Sequence, residues 1–175
     1  MNPLDPWVRE TLPRALAYAR ALLRDPVTAE DVVQDCYCRL IERKDRYDLP
    51  RDGLKILIRS VTNACIDHKS REKMLLSLHS GNEETRTDPA DEATPDPHQA
   101  VVGRELGEQI EKAMAGLSVG QRAAVHLTCL GYTLPEVAEM TGVTRVNAGV
   151  LLHRARKALR KELGPYLLGV DHETI

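Results

Sequence analysis

Phenylalanine is absent from this chain of 175 residues, and one Trp and five Tyr bring the aromatics to only 3%. Any core must therefore be aliphatic, and the 42% of side chains that are hydrophobic suffice for one core or two small ones. No run of about 18 apolar residues is present, which excludes a membrane-spanning helix. The first residues also lack the basic and apolar regions of a signal peptide. The expectation is a soluble cytoplasmic protein with no membrane insertion. Four cysteines (Cys36, Cys38, Cys65, Cys129) show no CxxC spacing and have no His cluster nearby, so they read as buried thiols in helices. The six histidines are scattered, and neither a nucleophile motif nor a phosphate-cradling glycine loop appears. No catalytic residue, metal site or cofactor is expected, and the enzyme reading is rejected.

The formal net charge of −2 is not spread evenly. Residues 1–74 carry 14 basic and 12 acidic side chains, residues 75–100 carry one and six, and residues 101–175 carry nine and eight. The acidity sits in the middle. There, from about Ser77 to Gln99, helical periodicity disappears and the run is polar, acidic and Pro-containing. It is too poor in apolar residues to offset its ordering entropy alone. The pattern predicts an all-α protein of two small helical domains, 1–76 and 100–165, joined by an acidic flexible linker at 77–99, with a tail at 166–175.

In the first domain, residues 5–24 read as an amphipathic helix with Val8, Leu12, Leu16, Ala19 and Leu23 as its stripe, and with Pro13 as a kink or restart. Asp25 and Pro26 break it. Thr28 is the expected cap of a second helix through about Arg46, burying Val33, Cys36, Tyr37, Leu40 and Ile41 and leaving Asp31, Gln34, Asp35 and Arg39 mainly outside. A third helix spans 51–73, with Leu54, Leu57, Ile58, Val61 and Ile66 inward. Lys55, Arg59, Lys69, Arg71 and Lys73 cluster around and after Asn63, a combination suited to phosphate and base-edge contacts.

The second domain begins near Ala100 with Val102, Leu106, Ile110, Ala113 and Leu117 on one helical face. Ser118 and Gln121 form a capping box for a helix to about Leu130. The stretch GYTLPEVAEMTGVTRVNAGVLLHRARKALRKEL then has the punctuation of a helix-turn-helix. Thr133 and Glu136 form a capping box, Pro135 lies in the first turn, Gly142 makes the turn, and Thr144 caps a second helix to about Leu163. An ordinary helical hairpin has the same pattern.

Taken together, DPVTAEDVVQDCYCRLIER, LIRSVTNACIDHKSREK and the final helix-turn-helix stretch resemble, in order and spacing, the small RNA polymerase sigma factors of the extracytoplasmic-function group. These keep sigma regions 2 and 4. The resemblance implies an alternative sigma factor whose partners are core RNA polymerase and promoter DNA, with an anti-sigma factor or other protein regulator as a further candidate. It places Asp31, Gln34, Asp35 and Arg39 at the polymerase. Lys55, Arg59, Asn63, Lys69 and Arg71 fall at the minus-ten element, with Asp67 also matching the melting helix and Asn63 near an unstacked base. Thr144, Arg145, Asn147, His153 and Arg154 fall at the minus-35 element.

Two departures from the family pattern matter. The second helix has Val146, Asn147, Ala148, Gly149, Val150 and Leu151 where the family usually carries Lys and Arg, so minus-35 recognition is expected to be weaker or different. Val146, Gly149, Val150 and His153 share one side. That face either still reads DNA or binds protein, whether the chain's own first domain or a regulator. Thr62 replaces a frequent Arg, which is expected to remove a phosphate contact. The runner-up is a sigma-like regulator with weak or no minus-35 recognition. A stand-alone helix-turn-helix repressor is the third reading, disfavoured by AEDVVQD.

Overall fold

The computed structural model describes residues 4–79 and 101–168. Seven α-helices and one short 3-10 turn carry them, and no strand occurs among the described residues.

Helix α1 (Asp5–Leu23) passes through Pro13 without interruption. It buries Trp7, Thr11, Ala15, Tyr18, Ala19, Leu22 and Leu23. The expected stripe is thus rotated: Ala19 and Leu23 are buried, Val8 and Leu16 half-buried, and Leu12 exposed. The reason is a hydroxyl. Thr11 is counted as polar by pattern, yet its Oγ1 donates to the Trp7 carbonyl at 2.7 Å and lies 2.6 Å from the Tyr37 hydroxyl, so it satisfies itself inside. The Trp7 and Tyr37 rings meet edge-on at 5.3 Å.

The α1 end is set by Arg24 in the left-handed region, φ 58°, whose N–H bonds back to the Arg20 carbonyl. Helix α2 (Pro26–Glu42) is capped by Asp25 rather than Thr28. Pro26 has no N–H to satisfy, and the Asp25 carboxylate accepts from the Val27 N–H at 3.1 Å and from the Thr28 hydroxyl. The helix stops at Glu42, short of Arg46, because Lys44–Arg46 tighten into the 3-10 turn. Val33, Cys36, Tyr37 and Leu40 are buried as expected, whereas Ile41 is exposed.

Helix α3 (Leu49–His79) is longer than the expected 51–73 because KMLLSLH contains no breaker. Residues 77–79 of the expected linker are therefore helical, and residues 80–99 lie outside the described residues. Leu57, Ile58 and Val61 are buried, with Leu54 and Ile66 half-buried. Gly53 is required by packing, since a Cβ there would lie 2.5 Å from Trp7 Nε1.

Helix α4 (Val101–Ala115) buries Ala113, but Leu106 and Ile110 are exposed; Ala100 and the Val102 side chain lie outside the described residues. Helix α5 (Val119–Cys129) begins at Ser118, whose side chain and that of Gln121 form the expected capping box. Helix α6 (Leu134–Thr141) has the Thr133–Glu136 box and ends at Gly142, φ 70°. Helix α7 (Arg145–Leu168) continues through Gly164 and Pro165, five residues past its expected end. Only Cys36 and Cys65 are buried thiols; Cys38 and Cys129 are exposed.

Helices α1, α2 and α3 pack together, as do α5, α6 and α7 with α4 laid on α7. The two groups also meet, α3 against α5 and α6, and α1 against α5. Their buried apolar side chains form one cluster running from Trp7 to Leu152.

Candidate nucleic-acid interface

Helix α3 has two faces with different tasks. Inward, Thr62 is fully buried, donating to the Ile58 carbonyl at 2.7 Å and lying 2.8 Å from the Tyr18 hydroxyl. Burial pushes the Tyr18 phenol well above its ordinary range. This corrects the reading of Thr62 as a lost phosphate contact, because the position faces the core. Outward lie Lys55 and Arg59, one turn apart, then half-buried Asn63 and exposed Arg71. Lys69 is half-buried and paired with Glu72 at 2.9 Å, and Asp67 is exposed.

Two of these cations, Lys55 and Arg59, are not open to solvent on all sides. Lys55 Nζ lies 2.8 Å from Glu136 Oε1, and Arg59 Nη1 lies 2.6 Å from Glu139 Oε1. Both carboxylates belong to α6. The Lys55 ammonium also stands 6.0 Å from the centre of the Tyr132 ring. Its bond to Lys55, with those from the Thr133 N–H and hydroxyl, holds the Glu136 carboxyl down at about 2, and the Glu136 bond raises Lys55. Asn63 Oδ1 lies 3.4 Å from where a Cβ on Gly142 would stand, so the turn after α6 lies against it.

Asp31, Gln34 and Asp35 are exposed on α2 in a row, with Arg39 also exposed and its Nε donating to the Asp35 carbonyl at 3.1 Å. At the start of α7, the Thr144 hydroxyl accepts from the Asn147 N–H at 3.2 Å, capping the helix. Arg145, Asn147, His153 and Arg154 are exposed there. Val146 is 75% exposed and Val150 is exposed, and a Cβ at Gly149 would meet nothing within 4 Å. The first group of helices therefore does not cover this face; it meets α5 and α6 instead. Beside it, Thr128, Tyr132, Leu134, Gly149, Leu152, His153 and Arg156 line a groove of about 330 Å³.

Sequence reasoning missed Glu139 altogether and saw Glu136 only as a cap. It also missed Arg24, whose Nη1 donates to the Glu111 carbonyl at 3.1 Å, and His126, whose ring meets Tyr18 edge-on at 6.2 Å. A signal existed for the first pair: carboxylates three apart on α6 match cations four apart on α3, each on one helix face.

These features define a class, two all-helical units with cations and an Asn on one and a glycine-turned helix pair on the other. The Sigma-70 region 2 family model matches residues 7–74, and the Sigma-70, region 4 model matches residues 107–159. The chain belongs to the sigma-70 family, in its extracytoplasmic-function group. It is 26% identical over 159 residues to the RNA polymerase sigma factor CarQ of Myxococcus xanthus, covering 90% of this chain and 87% of that one. It is 29% identical over 142 residues to the ECF RNA polymerase sigma factor SigW of Bacillus subtilis (strain 168), covering 77% and 75%. Its fold is similar to that of the sigma factor RpoE from Bartonella quintana, solved in complex with the anti-sigma factor NepR, with a TM-score of 0.64, 21% identity, and coverage of 94% and 98%. Among the described residues no helix is long and apolar enough to cross a membrane, and no group of three or more His, Cys, Asp or Glu is placed to hold a metal ion.

Proposed function

We propose that this chain is a cytoplasmic, non-enzymatic alternative sigma factor that docks on core RNA polymerase, selects a promoter and opens its minus-ten element. The observation that carries the reading is the ordered match of region 2 and region 4 on one chain, with Asn63 set among cations inside the first. The exposed row Asp31, Gln34 and Asp35, with Arg39, is the polymerase-docking face. Lys55, Arg59, Lys69 and Arg71 hold the non-template strand by its phosphates. Asn63 contacts one extruded base. Unstacking a base costs a few kcal/mol, which contacts made only by the displaced strand can offset without ATP or covalent chemistry.

On α7, Thr144, Arg145, Asn147, His153 and Arg154 are the minus-35 readers. With two customary cations replaced, this half of the contact has less counterion release and fewer bidentate base contacts. The exposure of Val146 and Val150 also favours a second reading, in which this face serves a protein regulator and minus-35 recognition is weak. An anti-sigma factor is the partner class proposed, by analogy with the Bartonella relative.

Run-off transcription with core polymerase on a pool of promoter fragments, with sequenced starts, tests this. Starts sharing both promoter elements are expected of a full sigma factor. Starts sharing only a minus-ten motif support the second reading. Absence of polymerase binding overturns both.

A further inference from the structure

Building on the proposed promoter-opening role, we infer that α6 is an in-cis competitor for the minus-ten strand, its carboxylates occupying the cations and its glycine turn lying on the Asn that the strand needs. Glu136 sits on Lys55, Glu139 on Arg59, and Gly142 against Asn63. Three consecutive turns of the α3 outer face are thus engaged by one short helix and the turn that ends it. A phosphate approaching Lys55 or Arg59 must displace a carboxylate with the same kind of charge-assisted bond. A base approaching Asn63 must displace the turn. Strand binding and this closed arrangement exclude each other.

The clasp has a second row that touches none of the proposed DNA contacts. Arg24, held in its left-handed conformation, reaches the Glu111 carbonyl and carboxylate at 3.1 and 3.5 Å, and Tyr18 meets His126 edge-on. These contacts align α1 with α4 and α5 while α6 lies on α3. The ion pairs are half-exposed, so each is individually weak and the clasp is built to open. Apparent affinity for the strand is then the intrinsic affinity reduced by the fraction of molecules that stand open.

The test uses the full chain without polymerase, a fluorescein-labelled random-sequence single-stranded DNA 12-mer as probe, and small-angle scattering to read the separation of the two helix groups. Glu136→Gln with Glu139→Gln removes both charges, and the amide introduced at the first of these positions keeps an acceptor for the capping box. Because this change also adds two units of net positive charge, Glu10→Gln with Glu42→Gln, exposed carboxylates of the first group, is the charge control. The expected result is a larger radius of gyration and a gain in 12-mer affinity of about three- to tenfold over the control, the scale on which two weak pairs shift an open fraction. An equal gain in the control overturns the proposal, as does an enlarged radius with unchanged affinity, or no change in either. Failure of the proposed function is separately visible, since it appears as absent run-off transcription with core polymerase.

Discussion

Helices α3 and α7 both present cations, yet the two sets are held differently. On α3, Lys55 and Arg59 are each matched by a carboxylate of α6. On α7, Arg145, Arg154, Arg156, Lys157, Arg160 and Lys161 are all exposed, and no ion pair holds them among the described residues. On the α3 face proposed to hold the strand, Lys55 and Arg59 are covered; the α7 face proposed to read the minus-35 element is open. Charge alone does not say which surface is ready to bind. What decides is whether another part of the same chain already satisfies it.

The sharpest way to break this contrast is Asn63→Ala. If α3 is the opening face, loss of one base contact of about 1–3 kcal/mol lowers open-complex formation roughly ten- to hundredfold. Polymerase binding, which the proposal assigns to α2, should change little. Permanganate reactivity of the minus-ten strand and a polymerase pull-down measure the two separately, and equal losses in both contradict the assignment. Its neighbour provides the complementary test. Thr62→Val leaves the Tyr18 hydroxyl without its bond in a buried place, costing about 1–3 kcal/mol of stability by urea unfolding. At a temperature where the variant is folded, open-complex formation should match the parent protein. Adjacent residues on one helix then separate into a structural and a functional role.

On the α7 side, Val150→Lys adds a cation to the open face. If that face contacts DNA, the slope of log affinity against log salt for the holoenzyme steepens by about 0.9, the contribution of one more phosphate contact. An unchanged slope, with weaker binding of a protein regulator, assigns the face to protein. Gly149→Ala is the milder probe. With nothing near the added methyl group, it should stabilise the chain by up to about 1 kcal/mol in thermal unfolding. A loss of promoter or regulator binding in this more stable variant would locate the close approach that the isolated chain does not make.

Much of the frame was legible from residue types because it depends on local chemistry. The capping boxes at Ser118–Gln121 and Thr133–Glu136 and the left-handed turn at Gly142 are short-range arrangements that sequence spacing specifies. Buried faces were legible only where they were apolar. Thr11 and Thr62 escaped because a hydroxyl bonded to a carbonyl one turn earlier and to a Tyr hydroxyl is inside yet scores as polar. The end of α2 shows the same limit, since nothing in Lys44, Asp45 and Arg46 signals a 3-10 turn in place of continued α-helix. The candidate sites were legible as residues but not as a state. Lys55 and Glu136 are 81 positions apart, and no periodicity within either helix sets the register in which α3 meets α6.

Proton linkage gives the smallest effect and separates the two rows of the clasp. Glu136 has its carboxyl depressed to about 2, and Lys55 is raised, so their pair stays charged from pH 8 to pH 5. A depressed carboxyl contributes closure that is complete above its free value near 4.5 and is lost as pH falls toward 2. The Glu136–Lys55 pair is therefore flat near neutrality. His126 behaves differently. Burial, assisted by Arg122 and opposed by Glu111, lowers its pKa below 6.5, and the group facing it from α1 is the Tyr18 phenol, neutral in this range. Its neutral form is favoured by the fold, so its contribution is complete above 6.5 and declines as pH falls through the lowered value. The slope cannot exceed about 1.4 kcal/mol per pH unit for one proton. Scattering between pH 7.5 and 5 should show a slight opening in the parent protein that His126→Gln removes and Glu136→Gln leaves in place. Retention of that pH response in His126→Gln would mean that the titrating group lies elsewhere.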